Sequence, residues 1–166
     1  MNTYYYAGGA KVEIEQDDEH IGVDRKAVPA ELLGRLSAAF EGAPQQPGGM
    51  AIAPKAAIGQ RNMALLKKAG ALHPVFRRHG AMLVPLPEIR VEFDGKAQRK
   101  SVDKVLAQAD QRMLVTEASD ERMVLAPASG SATDALQMAN DIYERAHPAA
   151  AAVRFLQFVP RPGSKR

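Results

Sequence analysis

Apolar residues recur along this chain with two different periods, and the switches between them mark out short elements. Val12 and Ile14 alternate with Lys11, Glu13 and Glu15, the period of two of a half-buried strand. Tyr4-Tyr5-Tyr6 has strong strand propensity, and Gly8-Gly9 supplies the positive-φ turn of a hairpin over 4–14. Asp17-Asp18-Glu19 predicts an acidic turn, and His20 to Asp24 a short strand. Pro29 suits the first turn of a helix whose Leu32, Leu33, Leu36 and Phe40 share one face and which ends near Gly42. The stretch 42–49, with two Pro and three Gly, predicts a loop or internal linker. Met50 to Ala53 reads as a strand. Gln60 to Ala69 reads as a helix with Met63, Leu65 and Leu66 apolar and Gly70 just past its end. Leu72 to Phe76 is a weak strand. Ala81 to Leu86 is an apolar strand limited by Pro85 and Pro87, and so belongs at a sheet edge.

The second half is more regular. Ile89, Val91 and Phe93 alternate with Arg90 and Glu92. Ser101 is placed as the N-cap of a helix with a stripe of Val102, Val105, Leu106 and Ala109. Met113 to Thr116 and Arg122 to Ala126 predict two strands joined by a turn at Ser119-Asp120-Glu121. Ser131 and Asp134 form an approximate capping box for a helix carrying Leu136, Ala139, Ile142 and Tyr143, which stops at His147-Pro148. Val153, Phe155, Gln157 and Val159 then alternate with Arg154, Leu156 and Phe158. From Ile89 to Pro160 the order is strand, helix, strand, strand, helix, strand, the split βαβ or ferredoxin-like pattern. Right-handed crossovers put both helices on one face of a four-stranded antiparallel sheet whose central strands are the first and third. The predicted fold class is therefore α/β (α+β), a ferredoxin-like split βαβ sandwich at 87–160. An α/β extension at 1–86 precedes it, and a flexible tail at 161–166 follows.

That arrangement leaves one sheet face open. It would carry Arg90 and Glu92 with either Met123 and Leu125 or Arg122 and Val124, and no aromatic platform on which bases stack, so nucleic acid is not an expected partner. Val153 and Phe155 on one side of the last strand, and Leu156 and Phe158 on the other, predict a sheet apolar on both faces. The second face is then covered either by 1–86 or by another protein.

Composition narrows the chemistry. Of 166 residues 46% are hydrophobic but only 5% aromatic, with no Trp, so the core rests on Leu, Val, Ile, Met and Ala. The absence of Cys excludes a disulfide scaffold, a thiol nucleophile and Cys-based metal sites. The net charge of +3 comes from scattered pairs such as Lys67-Lys68, Arg77-Arg78 and Arg99-Lys100 rather than from a basic face. No apolar stretch approaches the ~18 residues of a membrane span. The first residues lack the basic and apolar regions of a signal peptide. A cytoplasmic location is expected as the sequence stands, and a secreted one only for a fragment of a longer precursor.

Candidate catalytic groups are sparse. His147 belongs to the last turn of a helix, where a cation meets the negative dipole end. His20 follows Asp17, Asp18 and Glu19, but adjacent turn residues rarely converge on one ion. His73 and His79 flank Arg77-Arg78 at what reads as a solvated hairpin tip. Ser129-Gly130-Ser131 lacks the nucleophile-elbow pattern, and no glycine pair is followed by a phosphate-binding lysine. The expectation is a protein that is not an enzyme, with no catalytic residues, no metal and no cofactor.

Several stretches resemble the propeptides of bacterial subtilisin-like serine proteases (subtilases). Tyr4-Tyr5-Tyr6-Ala7-Gly8-Gly9-Ala10-Lys11-Val12-Glu13-Ile14 resembles their tyrosine-rich opening hairpin, and Asp17 to Asp24 the acidic turn and strand after it. Asp134 to Glu144 resembles the final propeptide helix, and Val153-Arg154-Phe155-Leu156-Gln157-Phe158-Val159-Pro160 the last strand and the extended segment beyond. The resemblance covers the first ~25 and last ~70 residues, through short strings rather than a rigid motif. It implies a ferredoxin-like domain that inhibits a subtilisin-like protease domain, in cis or in trans, or assists its folding. The sheet, through Leu156, Val124 and Met123, would pack on the enzyme. The tail, Phe158, Val159, Pro160, Arg161 and Pro162, would lie in its cleft. Nothing in the chain resembles the family's catalytic domain. The alternative expectation is a cytoplasmic protein–protein adaptor or small-molecule-sensing domain on the same fold.

Overall fold

The computed structural model describes residues 2–44 and 48–158. The chain is mixed α+β. In order it forms β1 (Asn2–Ala7), β2 (Ala10–Gln16), β3 (His20–Asp24), α1 (Ala30–Arg35), β4 (Met50–Pro54), α2 (Lys55–Ile58), α3 (Gln60–Lys68), β5 (Leu72–His73), β6 (Phe76–Arg78), β7 (Ala81–Glu92), α4 (Lys96–Ala107), β8 (Met113–Ala118), β9 (Arg122–Pro127), α5 (Ala132–Ala146) and β10 (Ala150–Phe158). It divides into two compact units. The first is Met1–Ile14 with Pro85–Leu156, and the second is Glu15–Val84 with Gln157 and Phe158. The division runs inside β2, β7 and β10. It falls beside the 86/87 boundary read from the sequence, but the opening hairpin clusters with residues 85–156 rather than with 15–84.

In the first unit the sheet order is β10-β7-β9-β8, so the first and third of these strands in chain order, β7 and β9, are central. The β7–β9 and β8–β9 pairs are antiparallel, with Ile89 opposite Leu125 and Val91 opposite Met123. These four residues are at most 3% exposed and face inward, where Val102 of α4 and Leu136, Ala139 and Ile142 of α5 complete a core. Gly8 and Gly9, at φ 56° and 80°, make the hairpin turn between β1 and β2 that only positive-φ residues allow. The second unit has its own core, built by Val23, Leu32, Leu36, Phe40, Ala53, Ile58 and Leu66 around the three-stranded sheet β4-β3-β5.

Three local expectations are corrected. Pro85 and Pro87 do not end an edge strand. They lie inside the 12-residue β7, between its ladder with β6 at Ala81–Leu83 and its ladder with β9 at Ile89–Glu92, where their missing N–H interrupts neither. Ser101 is not an N-cap. Its hydroxyl donates to the Ala97 carbonyl inside α4, and the helix starts after Gly95 with the Gln98 side chain accepting from the Asp94 N–H at 2.7 Å. The helix after Pro29 breaks at Leu36 into α1 and a 3-10 turn over Ser37–Phe40, although Leu32, Leu36 and Phe40 stay buried. Leu65 is 39% exposed because the buried stripe of α3 runs through Leu66, one residue on. No helix among the described residues is long and apolar enough to cross a membrane.

Candidate functional site

The outward face of the first unit's sheet is built by alternation. Ile89, Val91 and Phe93 are buried, so Arg90 and Glu92 between them point out. Arg90 stands opposite Val124, and Glu92 opposite Arg122. The choice left open by the sequence therefore falls to Arg122 and Val124. On β10, Arg154 and Leu156 alternate with the buried Ala151 and Val153 and belong to the outward face. Leu114 of β8, opposite Ala126, is 45% exposed, and its neighbour Val115 is 52% exposed. They sit on β8, which ends the sheet order and pairs with β9 among the described residues. The face is mixed rather than aliphatic. The Arg122 guanidinium meets the Glu117 carboxylate at 3.1 Å, and Arg90 meets Glu88 at 3.7 Å. Pairs this exposed contribute little to stability, so their charge stays available to a partner.

The expected docking residues separate on this geometry. Val124 and Leu156 are half-buried on the outward face. Met123 is corrected: it is 3% exposed and faces the helices with Leu125, so no partner reaches it while the sheet is intact. The expectation of an apolar outward face is corrected with it, because β7 and β9 place arginines and glutamates there. Phe158 is buried at the end of β10, at 7% exposure. Val159, Pro160, Arg161 and Pro162 lie outside the described residues.

Two polar clusters were not read from the sequence. In the first unit, the Tyr4 hydroxyl donates to both Glu144 carboxylate oxygens at 3.2 and 3.1 Å, and the Tyr6 hydroxyl to one of them at 2.9 Å. The Tyr6 ring stacks on Tyr143 with centroids 4.4 Å apart, and the Lys11 ammonium lies 4.0 Å from the Tyr4 ring centroid. The Asn140 side-chain amide donates to the Tyr4 carbonyl at 2.8 Å. Together these contacts fasten β1 to α5. The hydrogen bond to Glu144 pushes the Tyr6 phenol up to about 12.

In the second unit, Asp17 is 7% exposed and carries four donors. One carboxylate oxygen accepts from the Glu19 and His20 backbone N–H groups at 2.9 and 3.0 Å; the other accepts from Arg77 Nε at 2.6 Å. His20 Nδ1 lies within 3.2 Å of both oxygens. Burial pushes the Asp17 carboxyl up, but the hydrogen bonds of Glu19, His20 and Arg77 outweigh it and hold the group below its usual value. The spacing of Asp17 and His20, three apart across a turn, is a signal sequence reading could use. Arg77 is sixty positions away and gives none.

The remaining candidates fall into structural roles. Ser129 donates to the Asp134 carboxylate at 2.7 Å, and Ser131 accepts from the Asp134 N–H at 3.2 Å, so both serve the start of α5. Asp134 bonds Ser129 instead of closing a capping box on Ser131. His147 is the left-handed C-cap of α5 and meets Tyr143 edge-on. His79 with Gly80 forms the turn after β6, but His73 is not at a solvated tip. It is 7% exposed, its Nδ1 has no hydrogen-bond partner among the described residues, and burial pushes its pKa down. No group of three or more His, Cys, Asp or Glu able to hold a metal ion occurs among the described residues. No family model, no curated protein and no solved structure matches the chain.

Proposed function

We propose that this chain is a non-enzymatic binding domain that docks on a subtilisin-like serine protease as inhibitor or folding chaperone. The outward face of β10-β7-β9-β8 is the docking surface, and the segment from Val159 to Pro162 is the part that enters the cleft, the expected start at Phe158 being corrected because that side chain is buried. The observation that carries the reading is that outward face: Arg90, Arg122 and Arg154 are exposed beside half-buried Val124 and Leu156 and exposed Leu114, a charged rim around a small aliphatic centre. The tyrosine-rich hairpin and the last helix and strand add the resemblance that names the partner class. Recognition on such a face depends more on charge complementarity than an aliphatic face would, which steers association and selects partners.

The test is inhibition. Initial rates of a subtilisin-like protease are measured against rising concentrations of the purified chain. Saturable inhibition is expected. It weakens when residues 159–166 are removed, a truncation that leaves the buried Phe158 in place, and the double charge reversal Arg90→Glu, Arg122→Glu slows its onset. Unchanged rates with the chain folded and uncleaved overturn the reading and move the assignment to an adaptor.

A further inference from the structure

Within the second unit, a cavity of about 330 Å³ opens beside His20, with Glu41, Ile52, Pro54, Ala57 and Met82 among its walls. Small-molecule sites start at about this size, and most of their lining is apolar with a few converging polar groups. Alanines and Gly42 make up most of the remaining wall. Among the described residues that line it, those with polar side chains are His20 and Glu41.

Their hydrogen-bonding sense follows from the cluster behind them. His20 Nδ1 sits 3.1 and 3.2 Å from the two oxygens of Asp17, a carboxylate that also accepts from Arg77 Nε. An ionised carboxylate only accepts, so Nδ1 carries a hydrogen, and in the uncharged form of the ring, the form that the proposal below requires, Nε2 is left with a lone pair. Glu41, exposed at the end of the 3-10 turn over Ser37–Phe40, adds a second acceptor and a negative charge. The two polar groups of the wall are thus both acceptors, set in an apolar surround.

We propose that this cavity binds a small-molecule primary amine: an alkyl or aryl ammonium whose apolar body packs on Ile52, Pro54 and Met82. Its ammonium hydrogens bond to the Glu41 carboxylate and His20 Nε2. An anion meets a carboxylate and a lone pair there and is rejected, and a neutral alcohol forfeits the charge. The proposal does not rest on protease docking, whose proposed sheet face and C-terminal segment include none of the residues lining this cavity.

The probe is benzylamine, titrated into the full chain and followed by NMR at the Met82 methyl and the His20 imidazole, with benzyl alcohol and benzoate as matched controls. The expected result is saturable shifts at both groups with benzylamine, and binding at least about tenfold weaker for either control, the worth of one charge-assisted hydrogen bond. Glu41→Gln is exposed and keeps the fold, which the remaining amide spectrum verifies. It weakens benzylamine by about the same tenfold. Ala57→Leu fills the cavity and abolishes the shifts. Benzylamine that leaves Met82 and His20 unmoved overturns the proposal. Benzoate binding as tightly as benzylamine, or an unchanged affinity in Glu41→Gln, also overturns it.

Discussion

The stretch from β1 to the turn after β2 is tied down by two carboxylates, one in each unit, under opposite conditions. Glu144 accepts the hydroxyls of Tyr4 and Tyr6 in the open, where water competes for every bond. Asp17 accepts two backbone N–H groups, Arg77 and His20 at a side-chain exposure of 4%. The count of partners differs little. What differs is the state reached when a partner is lost. An exposed hydroxyl turns to water at small cost, whereas a buried donor without its acceptor bears its full desolvation penalty. The two carboxylates therefore rank very differently as supports of the fold, although each looks like a hub.

The sharpest way to break that ranking is Asp17→Ala. It strips the acceptor from the Glu19 and His20 amides, from Arg77 and from the His20 ring at once. Arg77 is 44% exposed on its side chain, so its charge rehydrates, and the loss stays below that of a wholly buried pair. A destabilisation of about 3 kcal/mol is expected in urea unfolding. If Asp17→Ala costs no more than Glu144→Ala, burial is not what separates the two hubs.

Acid extends the same test without mutation. The folded-state pKa of Asp17 lies below its unfolded value, so its contribution is present above the ordinary carboxylate range and is lost as pH falls through the folded value. His73 has the same sign for a different reason. Burial lowers its pKa, with the nearby Asp24 charge opposing, so below the ordinary value of 6.5 the unfolded chain takes up a proton that the folded chain refuses. Unfolding midpoints are expected to decline in two stages on acidification: one starting near the ordinary histidine pKa and removed by His73→Phe, the other in the carboxylate range and removed by Asp17→Ala. A single stage unaffected by His73→Phe rejects the histidine's part.

The same contrast explains what the sequence shows and hides. The period-two run at Ile89–Phe93 and the stripe at Leu136, Ala139 and Ile142 are intrinsic to one element each, and the strand order of the first unit follows from such elements. The Ser131 cap is legible because the residue and the N–H it accepts from are three apart. Glu144 lies 140 positions from Tyr4, and Arg77 sixty from Asp17. No local period encodes either pairing. The outward face was half-legible. Alternation gave Arg90 and Glu92, but the phase of β9 depends on its register with β7, which put Val124 out and Met123 in. Pro85 and Pro87 misled because proline forbids a ladder bond at one residue, not a strand that changes partners around it.

A smaller effect is expected at the stacked ring. Tyr143→Leu keeps apolar bulk on α5 but removes the face on which Tyr6 lies 4.4 Å away and the edge contact with His147. Aromatic pairing beyond burial is worth about 1 kcal/mol. Thermal unfolding is expected to register a loss of that size, with the first unit's amides near β1 exchanging faster and those of the second unit unchanged. Faster exchange in both units would mean that this contact supports more than the β1 attachment.

The smallest expected effect is also the cleanest readout of the exposed hub. Glu144→Gln keeps an acceptor oxygen but removes the charge, and it changes stability little at neutral pH because water replaces what is lost. Its signature is the Tyr6 phenol. With Glu144 ionised that pKa stands at about 12, raised first by the hydrogen bond to the carboxylate, because ionising the phenol destroys a donor facing a negative charge. A folded pKa above the unfolded value means the contribution is whole below the ordinary tyrosine pKa of 10.0 and is lost as pH rises towards about 12. In Glu144→Gln the phenolate absorbance is expected to rise earlier by most of that interval, with alkaline unfolding less steep than in the parent. A Tyr6 titration unmoved by Glu144→Gln would instead make the stacking on Tyr143 what holds the phenol protonated, and the carboxylate in the open would no longer be a hub.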